Sequence, residues 1–598
     1  MAGRKRGPPP GAEADDLLVK RPHLDVHNPD AKVTLLAGGR RFAVQRDKLA
    51  AVSDCFRAMF SNGMRETKQQ EISLGGVSAM GLEKTLEVVD TGNTTLKGKN
   101  VLSLMSAATY LQVTPVIEFC ERALASRLTA SNFFQLAKTA EFYCMKNALQ
   151  QIDKFVAKNL RRIAKKGTLC HVTYDQMQKL LSSEDLRLPE VEVFFITRDW
   201  LAAHPDMVEE HAQGLLRLIR YRLINPADLV LHVEKVDVMT SDQEMTRLVM
   251  EAFKYHVLPH SQPLTDAPLI CPRATVTQAV CVTSAEMKGE DRTVVTAFDV
   301  LAVSNHQKDK VRRRIINLQE GLDGMEVVNL NDFLYLIGGM NTISFSDKVF
   351  RYDPRSNSWF LACPLMHGRY RFFAGALSNK VYAVGGDCHM VLNVTSAERY
   401  DPAMDRWEEI APIPGNRTLH GGAVLGNCIY ISGGSLGGQS TSDVLRYSPD
   451  KRVWERRESM LGPRGGHVIC AARGKLFVFG GHCMDLNNDT LNETRSECYD
   501  PDTDQWTVLA PLHVPHDGSS WLLHDRYAWV IGGQNAEDCT DQKLVSQYDL
   551  DTDSWEVIKK WPWTLRTYGS SFCMLNFPVV QNNPAFLTPY FSQPEQGA

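Results

Sequence analysis

From about residue 270 onward, one pattern of apolar and polar positions recurs. An apolar run ends in a glycine pair, as in "FLYLIGG", "KVYAVGG", "CIYISGG", "LFVFGG" and "AWVIGG". The pairs are Gly338-Gly339, Gly385-Gly386, Gly433-Gly434, Gly480-Gly481 and Gly532-Gly533, spaced by 47, 48, 47 and 52 residues. A polar turn such as "NLND" or "LSNK" precedes each run. A Tyr follows each pair after 13–18 residues, and a Trp comes seven residues later. Short apolar runs bounded by turn residues predict strands. One unit therefore reads strand, turn, strand ending in Gly-Gly, variable loop, strand with Tyr, turn, strand with Trp. That is a four-stranded antiparallel sheet, and a period of this size predicts a solenoid or propeller. Such a sheet cannot bury both faces alone, whereas radial repetition buries them and protects the edges. Tyr400 and Trp407 then provide large apolar faces between sheets, with "DPAMD" as the turn that joins their strands. The glycines suit crowding near an axis or a backbone that needs positive φ.

The N-terminal half is patterned differently. Residues 45–260 are rich in helix formers with apolar spacing of three and four. In "NVLSLMSAATYLQVTPVIEFCERALASRL", Leu102, Met105, Ala108, Leu111 and Val116 fall close to one stripe. Only "AKVTLLAGGRRFAV" (31–44) reads as strand, Gly-Gly turn and strand, with "EISL" as a third strand. The first part is thus mixed α/β and residues 130–259 are helical. "SQPLTDAP" (261–268) is a Pro-containing polar break that predicts a linker.

Composition narrows the function class. A chain of 598 residues exceeds one core and implies several domains. Its 43% hydrophobic and 23% charged content is ordinary for globular protein. A net charge of −4 argues against a dedicated nucleic-acid binder, and no apolar run approaches the ~20 residues of a membrane helix. The start, "MAGRKRGPPPGAEADD", has no apolar core and reads as a disordered leader rather than a secretory signal. Fourteen cysteines are scattered singly without a CxxC pair, against a zinc site or a disulfide framework. A reducing compartment, cytosol or nucleus, is expected. There is no P-loop, HExxH or GxSxG motif. "GGSLGGQS" opens no helix, and His482-Cys483 has no second pair at ligand spacing. Catalytic residues, cofactors and metals are therefore not expected.

The period and the Gly-Gly…Tyr…Trp signature resemble kelch repeats. Five units are clear. A sixth, at 275–310, is degraded: it lacks the Gly pair, and Phe298-Asp299 stands where Tyr-Asp would be. "RTYGSSFCMLNF" (566–577) looks like the first strand of another unit. In the kelch family such a strand completes the first blade, which implies six blades and leaves five or seven open. "FAVQRDKLAAVSDCFRAMF" (42–60) and "NVLSLMSAATYLQV" resemble a BTB domain. "LPEVEVFFITRDWL", "LIRYRLI" and "EAFKYHVLP" resemble a BACK domain. With BTB, BACK and kelch in that order, the chain is identified as a member of the kelch-like family. The implied fold is multidomain: an α/β BTB domain (30–128), an all-α BACK helical domain (129–259), a linker (260–274) and an all-β six-bladed kelch β-propeller (275–580). A leader (1–29) and a tail (581–598) flank them. The propeller units fall near 275–320, 321–365, 366–413, 414–460, 461–512 and 513–562, with a closing strand at 566–577.

The resemblance implies a non-catalytic substrate adaptor of a cullin-3 RING ubiquitin ligase, in the cytoplasm or the nucleus. The BTB domain would dimerise and bind cullin-3, BACK would support that contact, and the propeller would hold a protein substrate. The alternative is a non-ligase scaffold or cytoskeleton-associated kelch protein. "MRE" matches the family's hydrophobic-x-Glu motif. Met64 would fill an apolar pocket on cullin-3, and Glu66 would orient the contact. Lys32, Gln45 and Asp90 depart from the family's usual Asp, His and Tyr. The charge reversal at Lys32 bears on dimer pairing. In the inter-blade loops, Arg371, Arg417, Arg464 and Arg566 read as a basic, substrate-facing rim with His420 and His467 beside it. Such a rim would suit acidic peptides. The competing reading is that each arginine is a solvated loop residue or bonds the carbonyls of a neighbouring blade.

Overall fold

The strand–Gly-Gly–strand pattern at the N-terminus folds as a hairpin. β1 (Lys32–Ala37) and β2 (Arg40–Gln45) pair antiparallel. Gly38 and Gly39 turn the chain at φ 52° and 78°, a region that costs most other residues energy. β3 (Glu71–Ser73) joins β1 in parallel. Alternation along β1 sends Val33, Leu35 and Ala37 inward beside Leu49, Phe56 and Phe60. Helices Asp54–Phe60 and Ala79–Thr91 begin at Ser53 and Ser78, whose side chains accept the N–H of Phe56 and Gly81. Helices Lys99–Tyr110, Thr114–Ala125, Phe133–Phe142 and Lys146–Lys165 follow.

The structure is a computed structural model. It describes residues 32–61, 64–94, 99–266, 270–287, 290–298, 313–318, 321–341, 344–388, 395–484, 489–542, 544–560 and 570–578. The expected leader and tail and Arg566 lie outside them. The chain divides into two compact units, residues 1–180 and 181–598. The second begins with helices, among them Glu190–Ala203 and Gln243–Val257, and continues into the repeats.

Among the described residues the repeats form six four-stranded sheets, referred to here as blades 1 to 6. Blades 2 to 6 each use four consecutive core strands whose inner members start at Glu326, Phe373, Gly421, Val468 and Ser520. Blade 1 takes its inner strand, Ser570–Pro578, from the far end of the chain and pairs it with Thr275–Met287. The degraded first unit is therefore a full blade, and the C-terminal strand closes the ring. Six separate apolar cores fill the six blade interfaces, which is how sheets with two apolar faces escape water.

The Tyr–Trp spacing now has a geometric cause. Tyr400 and Trp407 are direct cross-strand partners, 5.4 Å between ring centres. The other four pairs repeat this at 5.0–5.1 Å. Each Tyr also packs on an aromatic of the preceding blade, as Tyr400 does on Tyr335 at 5.9 Å. The Trp407 indole N–H donates to the Cys363 carbonyl of blade 2 at 2.9 Å. In the turn, Asp405 accepts both the Tyr400 hydroxyl at 2.6 Å and the Cys363 N–H at 3.0 Å. Asp504 and Asp553 do the same in blades 5 and 6. All three aspartates hold left-handed backbone, φ 47–53°, which Asp tolerates better than most side chains. The sequence reading places the turn chemistry on Asp401-Pro402. The structure adds Asp405 as the residue that joins the turn to its neighbouring blade.

Replacing Asp405 by Ala removes one acceptor from two donors and places Ala in left-handed backbone. The expected cost is about 2–3 kcal/mol, read as a lower urea midpoint of the full chain. Asp405→Asn should recover much of it.

Candidate functional site

In blades 2 to 6 the inter-blade loop and the Gly pair lie at one end of the strands, and the tight turns lie at the other. The helical segment of the second unit holds the turn end. Pro259–Leu264 forms a 3-10 helix. Buried Arg351 of blade 2 donates to the Pro259 carbonyl and, at 2.8 Å, to Gln262. Asn331 donates to the Pro263 carbonyl at 2.7 Å, and Arg355 to Ile270 at 2.8 Å. Arg273 and Glu190, both buried, pair at 2.7 Å. The loop end is therefore the face left for a partner.

Most of the expected rim is not on that face. Arg417 is 1% exposed and Arg464 0%. Arg417 donates to the Gly433 carbonyl at 3.0 Å and to the Asp443 carboxylate at 3.3 Å. Arg464 donates to the Gly480 carbonyl at 3.3 Å, the Arg495 carbonyl at 2.8 Å and buried Glu497. The true counterpart in blade 3 is Arg369. It donates to Gly385 at 3.0 Å, Ser396 at 2.9 Å and buried Glu398. Each of these arginines bonds its own blade, sixteen residues ahead, rather than a neighbour. His516 fills the same place in blade 6: its Nδ1–H donates to Gly532 at 2.7 Å and its Nε2 accepts from Ser546 at 2.8 Å. Burial holds this imidazole neutral, with its pKa lowered to about 4. A buried cation survives because charged and carbonyl acceptors surround it.

The next links run between blades. In the first four pairs the second glycine donates its N–H to the backbone carbonyl of the next blade's Arg or His: Gly339 to Arg369, Gly386 to Arg417, Gly434 to Arg464 and Gly481 to His516, at 2.8–3.1 Å. These glycines have φ 92–94°. A Cβ on Gly434 would lie 2.6 Å from the Thr418 carbonyl oxygen, so no side chain fits.

His420 and His467 are also buried, at 8% and 7% exposure. Desolvation lowers the His420 pKa to about 3 and holds His467 well below its usual value. They are neutral wall residues, and their expected place on a substrate-facing rim is corrected accordingly. Arg371 alone of the described rim residues is exposed, with its guanidinium 5.1 Å from the Tyr370 ring centre. It lines the mouth of the central channel with Glu326, Phe373 and Trp521. The face also exposes Met366, Leu436, Leu461, Met484 and Leu491. Asp489, Glu537, Asp538 and Asp541 stand exposed on the loops of blades 5 and 6. Among the described residues it is a mixed apolar and acidic surface rather than a ring of the expected arginines.

In the first unit, Met64 is 52% exposed and caps a 3-10 turn, Arg65–Lys68. Buried Arg46 anchors this turn by donating to the Thr67 carbonyl at 3.1 Å, the Glu66 carbonyl at 3.4 Å and the Gln69 carbonyl. Glu66 is half-buried. Leu102, Tyr110 and Phe142 are further exposed apolar side chains of this unit. Lys32 and Gln45 pair across β1 and β2, and Asp90 lies 3.4 Å from Lys48.

Family models match along the chain: a BTB/POZ domain at 28–128, a BTB And C-terminal Kelch domain at 133–234, a Kelch motif at 323–362 and a KLHDC2/KLHL20/DRC7 Kelch-repeats domain at 374–564. Kelch-like protein 26 of Mus musculus is 30% identical, across 88% of this chain and 87% of that protein. The chain belongs to the kelch-like family. Kelch-like protein 13 of Bos taurus is likewise 30% identical, across 92% of this chain and 84% of its own. Kelch-like protein 15 of Mus musculus is 27% identical, across 91% and 93%.

Within this kelch-like chain the missed residues left a signal. Arg369, Arg417 and Arg464 keep the spacing of the Gly pairs, whereas Arg371 is two residues out of step. Glu398 and Glu497 each stand two residues before the repeat Tyr. Blade 2 shows the apolar solution, with Leu322 and Phe350 at the Arg and Glu positions.

Arg464→Leu removes the buried cation of Glu497, leaving only the half-exposed Arg495 at 3.9 Å, and should cost about 3–5 kcal/mol. Adding Glu497→Phe, which copies blade 2, should restore much of the loss. Arg371→Ala should change stability by less than about 0.5 kcal/mol. Chemical denaturation of the three variants checks this.

The His516 site also predicts an acid response. Its folded pKa is depressed, so its stabilising contribution is complete above the unfolded value of about 6.5 and falls as pH drops toward 4. Between about pH 7 and pH 5, His516→Gln should lose about 1–2 kcal/mol less stability than wild type, measured by urea unfolding at both pH values.

Proposed function

We propose that this kelch-like chain is the non-catalytic substrate-recognition subunit of a cullin-3 RING ubiquitin ligase, acting as a BTB-mediated homodimer in the cytoplasm or nucleus. The observation that carries the reading is the Met64–Glu66 turn. An exposed methionine is held on a short helix whose backbone is tied down by a buried arginine. That presents an apolar knob at little ordering cost, which is what a hot spot requires. Glu66 follows at the spacing of the family's hydrophobic-x-Glu motif. The propeller's loop face, opposite the helical segment, would receive the protein substrate. Two copies would raise substrate avidity through effective concentration.

One observation favours the scaffold alternative. Lys32 and Gln45 are adjacent on the hairpin, and Asp90 is engaged with Lys48. Two of the three departures from the family's usual residues thus face each other across the hairpin, and the third has an ion-pair partner of its own. The deciding measurement is recovery of cullin-3 from cells with the full chain. Wild type should retain it. Glu66→Lys and Met64→Asp should each reduce retention at least about tenfold, the effect of losing roughly 1.4 kcal/mol of hot-spot contact. If wild type recovers none, the scaffold reading stands instead.

A further inference from the structure

Glu326 opens the inner strand of blade 2 and lines the channel mouth on the loop face. It is the one acid among the described lining residues, and no described side chain forms an ion pair or hydrogen bond with it. Trp521, Phe372, Phe373 and Phe572 line the same cavity. Gly421 and Gly422 let His467 and the Phe373 ring pack directly on their strand, since a Cβ would lie 2.6 Å from His467 Nε2 and 2.2 Å from the Phe373 ring. We infer that this channel mouth is a receptor for a primary alkylammonium group, with Glu326 as its counter-ion and the aromatic faces around its methylenes. The shared chemistry fits two sources, a lysine side chain on a bound protein or a free small amine. Only the lysine source rests on the substrate-binding reading above.

Physical chemistry favours a cation here. Burial pushes the Glu326 carboxyl up to about 8 although the Val327 backbone N–H favours its charged form, as expected of a carboxylate that gives up water without gaining a cation. An ammonium supplies what is missing, and aromatic rings add attraction for a cation near their faces. The other titratable groups around the cavity are Arg371, His420 and His467, with Asp323 three residues upstream on the same loop. Both imidazoles are held neutral by burial and do not repel a cation. Arg371 is exposed, so solvent and salt screen its charge.

Binding must displace the proton from Glu326, so affinity should rise with pH up to about 8. The carboxyl is about half ionised at pH 8 and about one-hundredth ionised at pH 6, so roughly fifty-fold weaker binding is expected at the lower pH. The test is saturation-transfer NMR of the full chain with n-butylammonium, n-butyrate and a short lysine peptide. Expected are transfer to n-butylammonium at pH 8, the stated loss at pH 6, and no transfer in Glu326→Gln at either pH. A thermal transition matching wild type shows that this variant is folded. Trp521→Leu should weaken binding while keeping its pH dependence. Transfer to the lysine peptide as well supports the protein source, and transfer to the free amine alone supports the small-molecule source. Unchanged binding in Glu326→Gln, preference for n-butyrate, or no transfer to any probe would overturn the inference. None of these outcomes alters cullin-3 recovery, so failure here is separable from failure of the ligase reading.

Discussion

The propeller depends on one repeated interaction. In blades 3 to 5 a buried arginine bonds the first glycine carbonyl of its own blade, and its backbone carbonyl takes the N–H of the second glycine from the blade before. In blade 6 a neutral histidine does the same. One residue thus fixes the inner strand to its own sheet and its sheet to the previous one. The Gly pair is the other half of the device, because the approach leaves no room for a Cβ. An unpaired buried guanidinium would be very costly, so the site works only when the carbonyls and a carboxylate arrive together. Blade 2 avoids the requirement with apolar residues, and blade 6 with a hydroxyl and an imidazole.

At the opposite end of the strands, the Tyr and Trp of blades 2 to 6, with the turn Asp in blades 3, 5 and 6, reach the neighbouring blade. The apolar cores lie between these two belts of polar links. Burial supplies most of the stabilisation, while the polar links select which blade packs against which and in what register. The turn end is occupied by the helical segment through Arg351, Arg355 and Asn331. The loop end is left to carry function. This division explains why the conspicuous repeat residues are structural. Candidate binding groups such as Glu326, Arg371 and Trp521 are residues that differ from their counterparts in other blades.

Much of the architecture was legible because it follows from periodicity. The strand count per blade and the Tyr–Trp spacing come from short-range patterning, which local geometry obeys directly, whereas the closing strand was implied by the kelch resemblance. The candidate site was less legible. A loop arginine looks solvated in a one-dimensional reading, and "RYRF" offers two with nothing local to choose between them. Arg369 is the buried one, because its side chain meets Gly385 and Glu398. Those contacts form across 16 and 29 residues and exist only after the sheet does. The 64–69 turn was recognised by its motif, but the Arg46 anchor that holds it was not.

The sequence by itself determined the repeat and its strand pattern, which rest on hydrophobic alternation and turn chemistry within a few residues, and its resemblance to the kelch-like family implied six blades and the domain order. The tertiary structure decided which charges are buried, which histidines stay neutral and where an unbalanced carboxyl faces a cavity. Those properties depend on how much water each group loses when distant strands come together, and desolvation has no local signature in the chain.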